Sequence, residues 1–319
     1  MSVNVGTEIK EVKKHSRFRA YQIGTAGSSF SYYCGKFFTL VEGRITDHSR
    51  ESVSEELALI GKDQIDTLHI TSWDQDHCSL SQLEEICENY SPRKIEYPGY
   101  PPKTDSGKSC LKFIRTRQMK NTKTKAIRVD PKYIDSLNAT KSLVYRDVFY
   151  HPTVLVDNPN DNSTVKLFRQ GSFSVLSLGD VESSQISARI RRQSIVQRET
   201  DVLILPHHGA NDDFLTKKFL KTVKPRLAVC CVDFDNQYEH PKTEVRELLK
   251  LCGVELFTTK TGDVIIESSG NMSKEFVVRN LTQSGNKVST EKTYTTKRGP
   301  LFSMNHDSIR NRQRGNKRY

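Results

Sequence analysis

Apolar and polar positions alternate along the chain in two periods, and the change between them marks the elements. Residues 18–42, FRAYQIGTAGSSFSYYCGKFFTLVE, are aromatic and β-branched with Gly24 and Gly27 between. They predict two or three early strands joined by turns. SRESVSEELALIGKDQ (49–64) predicts a helix. IDTLHI (65–70) is a short apolar run that predicts a buried strand, and SLSQLEEICENY (79–90) predicts the helix after it. Ser79 with Gln82 has the spacing of a capping box.

Residues 99–150 are less regular and rich in Lys and Arg, which suggests a variable basic insertion on a compact scaffold. Order returns at STVKLF and FSVLSLGD, which predict a hairpin ending at Asp180. VESSQISARIRRQSIVQRETD predicts a helix, and DVLIL a buried strand running into PHHG. Leu215, Phe219 and Val223 fall at helical spacing. RLAVCCVDF predicts a strand, KTEVRELLKLCG a helix closed by Gly253, and VELFTTKTGDVIIES a terminal hairpin. From about 285 the apolar periodicity fades, and the chain ends in RNRQRGNKRY. The expected organisation is an N-terminal extension (1–17), one domain (18–284) with its insertion, and a flexible basic tail (285–319).

Composition changes this picture in two ways. The 319 residues carry a formal net charge of +11, which favours a polyanionic partner. Seven cysteines, at 34, 78, 87, 110, 230, 231 and 252, form no C-x-x-C pair, so neither a disulfide framework nor a zinc ribbon is expected. A reducing, cytoplasmic setting fits that cysteine usage. No stretch reads as a membrane span or a signal peptide, so no membrane partner is expected. GYPPKTDSGKS fails as a phosphate loop, because Pro102 stands where a glycine is required.

The candidate chemistry lies where strands end. Asp74, Asp76 and His77 follow IDTLHI, Asp180 follows FSVLSL, His207 and His208 follow DVLIL, and Asn162 precedes a strand. Loops on one edge of a sheet can converge from distant parts of a sequence. A core has no use for acids and histidines there, whereas a metal does.

These segments, with NQYEHPKTEVRELLK, resemble the metallo-β-lactamase fold. Within it they are similar to the soluble nuclease domain of ComEC-type DNA-uptake proteins, over about residues 18–268. The resemblance implies an α/β, αββα sandwich of two mixed sheets face to face with helices outside. It places one metal at 72, Asp74 and Asn162. It places a second at Asp76, His77, Asp180 and one of the His207/His208 pair, with His207 the first choice.

Ser72 stands where the family has histidine, IGTAGSSF departs from its early glycine motif, and TLVEG replaces its Ile-Asp-x-Gly. One well-held ion and one weak one are therefore expected. The oxygen-rich ligand set suits Mn²⁺ or Mg²⁺, with Zn²⁺ as an alternative.

The chemistry expected is hydrolysis of a DNA phosphodiester, with RNA as an alternative substrate. Asp76 or Asp180 would orient water, and His240 is a candidate to contact phosphate or protonate the leaving oxygen. Glu182 is a candidate to support a ligand. Arg189, Arg192 and Lys242 are candidate phosphate contacts. Competing expectations are a hydrolase of a cyclic nucleotide or lactone, and a non-catalytic nucleic-acid-binding protein on the same scaffold.

Overall fold

A computed structural model describes residues 15–121, 123–139, 146–268, 274–282 and 285–299. Most of the expected N-terminal extension and the RNRQRGNKRY tail lie outside these residues.

The chain begins with three antiparallel strands, β1 (Ser16–Ala20), β2 (Phe30–Cys34) and β3 (Phe37–Val41). Helix α1 (Asp47–Ala58) leads to β4 (Thr67–His69), then α2 (Leu80–Tyr90) to β5 (Lys94–Pro98). Helix α3 (Asp105–Lys120), β6 (Lys125–Val129), α4 (Pro131–Ala139) and β7 (Val148–His151) follow. The second half runs β8 (Val165–Phe168), β9 (Val175–Ser177), α5 (Ser184–Ile190), α6 (Ser194–Glu199) and β10 (Val202–Ile204). It continues with α7 (Lys217–Val223), β11 (Leu227–Cys230), α8 (Thr243–Leu251), β12 (Glu255–Thr258) and β13 (Val264–Ser268), and ends with β14 (Glu275–Thr282) and β15 (Gly285–Thr295).

The described strands form two mixed sheets. One has the order β15-β14-β13-β1-β2-β3-β4-β5-β6, and the other β12-β11-β10-β9-β8-β7. Period-2 alternation sorts each strand's side chains between two faces. Val202 and Ile204 turn inward to meet Phe18, Phe30 and Tyr32 of the opposite sheet, within one apolar layer that also holds Phe168 and Phe257. Leu203 and Leu205 turn outward, under Ile190, Phe219, Val223 and Leu249 of the covering helices. On the other side, Val53, Leu57, Leu83, Ile86 and Ile114 cover Leu40, Leu68 and Ile95. The layers are therefore helix, sheet, sheet, helix, as expected.

Four expectations are corrected. The 99–150 segment is more regular than its sequence suggests, because β6 extends the first sheet beside β5 in parallel register and α3 packs on it. The 254–268 segment is not a hairpin. Strand β12 pairs with β11 and β13 pairs with β1, so the chain crosses between sheets there. Residues 285–295 are not tail but a strand on β14. The 181–201 helix is broken into α5 and α6 around Arg191–Gln193.

Trp73 and His69 are core residues, 2% and 0% exposed. No helix of the described residues is long and apolar enough to cross a membrane.

Candidate metal centre

Parallel pairing decides where the functional loops emerge. Strand β4 runs parallel to β3 and β5, and β9 to β10 and β11, so their C-terminal ends open on one edge. The loop after β4 folds back on itself: His77 and Cys78 N–H both donate to the Asp74 carbonyl, at 2.9 and 2.8 Å. The loop after β9 turns at Gly179 (φ +57), where an added Cβ would lie 2.9 Å from Ser163 Cβ. The His207 N–H then donates to the Gly179 carbonyl at 3.0 Å, tying the third ligand loop to the second.

Asp76, His77, Asp180 and His208 meet at this edge, with their ligand atoms within 4.8 Å of one another. Each imidazole has one nitrogen committed and one left over. His77 Nδ1 is 3.1 Å from Glu42 Oε1 and 3.2 Å from Thr71 Oγ1. His208 Nδ1 is 3.0 Å from the Cys231 carbonyl oxygen. These acceptors place the proton on Nδ1 and leave the Nε2 lone pair free.

His77 Nε2 is 2.7 Å from Asp180 Oδ2, and His208 Nε2 is 3.2 Å from Asp76 Oδ2. Both Nε2 atoms are enclosed, and neither is aligned for a hydrogen bond. Orphaned buried nitrogens are costly unless something else satisfies them. A cavity of ≈ 10 Å³ lies against His77, Asp180 and His208, room for one water-sized body.

Electrostatics point the same way. Burial opposes charge on His77, yet Asp180, Glu42 and Asp76 outweigh it and raise the imidazole well above its ordinary value. Burial also opposes charge on Asp180, but His77 and then His208 hold its carboxyl below the usual range. The pocket thus favours positive charge at its centre, which protons or a divalent ion can supply. Two imidazoles and two carboxylates fit a divalent ion held by N and O donors.

The other expected metal position is not built. Ser72 is fully buried; its Oγ donates to Asp74 Oδ2 at 3.0 Å and lies 3.0 Å from the Tyr100 hydroxyl. Asp74 therefore completes a Ser72–Tyr100 network and joins no ligand cluster among the described residues. Asn162 is turned away: its Oδ1 accepts from Val156 N–H, and its Nδ2 donates to the Val156 and Asn158 carbonyls. All its polar capacity goes to clamping the 156–162 loop.

His207, the first choice of the pair, is likewise corrected to His208. Both residues adopt left-handed backbone, φ 46 and 51, which turns their rings to different sides. His208 reaches Asp76 and Asp180, while His207 faces Glu182 and Asp212.

Glu42 is the contributor that the sequence reading passed over. The signal was an acid directly after the apolar strand FFTLV. It is 1% exposed and accepts from Thr71 N–H at 3.0 Å and Thr71 Oγ1 at 2.6 Å while holding His77. TLVEG therefore supplies a carboxylate behind the metal ligand rather than a gap in the motif. Glu42→Gln should weaken divalent-ion affinity by about 10- to 100-fold. Isothermal titration checks this, and an unchanged affinity would remove Glu42 from the centre.

No protein-family model matches the sequence, and no curated protein matches it. Among solved structures the fold aligns with Igni18, a metallo hydrolase from Ignicoccus hospitalis, at 12% identity over 78% of this chain and 98% of that one, TM-score 0.45. A variant of the CmlA β-hydroxylase aligns at 14% identity over 79% of this chain and 53% of that one, TM-score 0.45. A Parabacteroides distasonis protein assigned as a metal-dependent hydrolase aligns at 13% identity over 72% and 88%, TM-score 0.38.

The four layers, and ligand loops at one edge of both sheets, decide the fold. It is an αββα sandwich, the architecture that the sequence resemblance implies.

In this sandwich, His240 borders the centre, its ring 6.3 Å from that of His207. Burial, with His208 and His207 nearby, pushes it down to about 4. That direction favours the neutral imidazole, which can hydrogen-bond a substrate. Lys242 lies beside the histidine turn, its N–H donating to the Gly209 carbonyl at 3.0 Å. Arg189 is directed to Thr153 and His151 rather than outward, whereas Arg192 is exposed.

Proposed function

We propose that the chain is a metal-dependent hydrolase that cleaves phosphodiester bonds of DNA, similar in activity to the soluble nuclease domain of ComEC-type proteins. The observation that carries the hydrolase reading is the pair of enclosed Nε2 atoms, neither aligned for a hydrogen bond, that face two ionised carboxylates. A divalent ion bound by Asp76, His77, Asp180 and His208 would lower the pKa of a water towards neutrality and neutralise phosphoryl charge. Asp76, 37% exposed at its side chain, is the ligand that faces the entrance and can also accept a proton from that water. Asp180, buried behind it, holds charge at the floor of the site. Glu42 and the Cys231 carbonyl fix the two rings, and His240 offers a neutral hydrogen bond to the substrate.

Two observations support a nucleic acid as substrate. The chain is strongly cationic, with a formal net charge of +11. Phe234 and Tyr238, 59% and 56% exposed, lie on the loop that carries His240, where aromatic faces can stack on unpaired bases.

The test is incubation of purified protein with single- and double-stranded DNA across Mg²⁺, Mn²⁺ and Zn²⁺. Cleavage is expected only with a divalent ion, and should end on chelation. Asp76→Asn should lose cleavage yet still shift DNA in a gel. DNA left intact with every ion would refute the nuclease reading.

A further inference from the structure

The turn that carries His208 presents a second constellation. His207 Nδ1 lies 3.5 Å from Glu182 Oε2 and 3.6 Å from Asp212 Oδ2, and the three ligand atoms fall within 4.8 Å of one another. These separations exceed a hydrogen bond, whose N···O distance is about 2.7–3.2 Å. They match two donors sharing one ion: bonds of about 2.1 Å in tetrahedral geometry put neighbouring ligands about 3.4 Å apart. His207 Nδ1 and Asp212 Oδ2 are both enclosed and have no hydrogen-bond partner.

The surroundings hold the donors ready. Asp212 Oδ1 is committed to the Phe214 N–H at 2.9 Å, which leaves Oδ2 facing the histidine. Asn158 and Asn160 amides donate to Glu182, and the Glu182 N–H donates to Asp161 Oδ1, which fix that carboxylate on its loop. The His207 N–H is anchored to Gly179.

We infer that Glu182, His207 and Asp212 form a second divalent-cation site, distinct from the Asp76–His77–Asp180–His208 centre and from the unbuilt Ser72 position. Two carboxylates and one imidazole take Mn²⁺ or Zn²⁺, with further positions open to water or a phosphate oxygen. The protein would thus hold two ions through consecutive histidines whose left-handed backbone divides their rings between two ligand sets. The inference does not rest on the nuclease reading, because it concerns ion binding by a different set of side chains.

The full chain, stripped with chelator, is dialysed against Mn²⁺ or Zn²⁺, and ions per chain are counted by mass spectrometry of the metal. Two ions are expected in the wild type, and one each in Asp212→Asn and Glu182→Gln. Asp180→Asn should also fall to one, from the other site. The two isosteric variants at the second site keep the test decisive if one of them does not fold. Two ions retained in either folded second-site variant, or one ion in the wild type that Asp180→Asn removes, would overturn the second site while leaving the first intact. Loss of one ion in Asp212→Asn with none lost in Asp180→Asn would support the second site and count against the first.

Discussion

Asp180→Asn is expected to release the ion from the Asp76–His77–Asp180–His208 centre and to lower metal-dependent hydrolysis by on the order of 10³-fold or more. The size follows from the water: its pKa returns from about 7 towards about 15.7 once no ion is bound. Asparagine keeps the volume of Asp180, which is 4% exposed. The charge facing His77 Nε2 at 2.7 Å is lost. Removing that carboxylate also takes away the largest influence that raises the His77 imidazole against burial. The fold in chelator should survive, so circular dichroism and ion content separate a lost site from a lost structure. Hydrolysis within tenfold of wild type would mean that Asp180 holds no essential ion.

The second large effect is on stability. Glu96 on β5 and Lys166 on β8 are 1% and 4% exposed and meet at 3.1 Å, which joins the two sheets by a buried ion pair. His69 and Lys94 complete the cluster at 3.1 and 2.7 Å from Glu96. The Lys166 ammonium sits over the Phe149 and Phe168 rings, 4.7 and 4.8 Å from their centres. Glu96→Ala leaves that ammonium buried without its carboxylate and should cost about 3–5 kcal/mol in urea unfolding. The double change Glu96→Leu with Lys166→Met should recover most of the loss, because neither buried partner is left without the other and Lys94, 30% exposed, can turn to solvent.

The pH dependence has a definite sign. Burial opposes ionisation of Glu96, but Lys166 and then His69 outweigh it and hold the carboxyl well below the ordinary value of 4.5. The stabilisation is present above 4.5 and is lost as pH falls through the lower folded value. Glu96→Gln should flatten that acid limb. A cost below about 1 kcal/mol for Glu96→Ala would show that the pair adds little beyond the packing around it.

What could be read in the sequence was whatever local periodicity encodes. Strand, acidic loop and helix at 65–90, and strand, histidine pair and helix at 201–223, could be read because each strand is a short apolar run with polar ligands directly after it. What could not be read depended on partners far along the chain. Strands β12 and β13 are adjacent in sequence, but β11 and β1 compete for them more effectively than they pair with each other. Strand β15 is largely exposed, so it carries no apolar alternation, and its order comes from hydrogen bonds to β14. Ser79 and Gln82 have capping-box spacing, yet Gln82 Oε1 accepts from the Ile45 N–H instead.

The same limit applied within the site. A His-His pair gives no sign of which ring joins which cluster; two successive left-handed residues and the Cys231 carbonyl settle it. Nor does the chain announce that Asn162 is spent on its own loop, because its partners are backbone groups.

Anomalous diffraction from crystals of the full chain grown with Mn²⁺ tests the central claim most directly. A manganese peak bounded by Asp76, His77, Asp180 and His208, with both Nε2 atoms and a carboxylate oxygen from each acid about 2.0–2.3 Å away, is the predicted result. No density there, or an ion between Ser72, Asp74 and Asn162 instead, would contradict it.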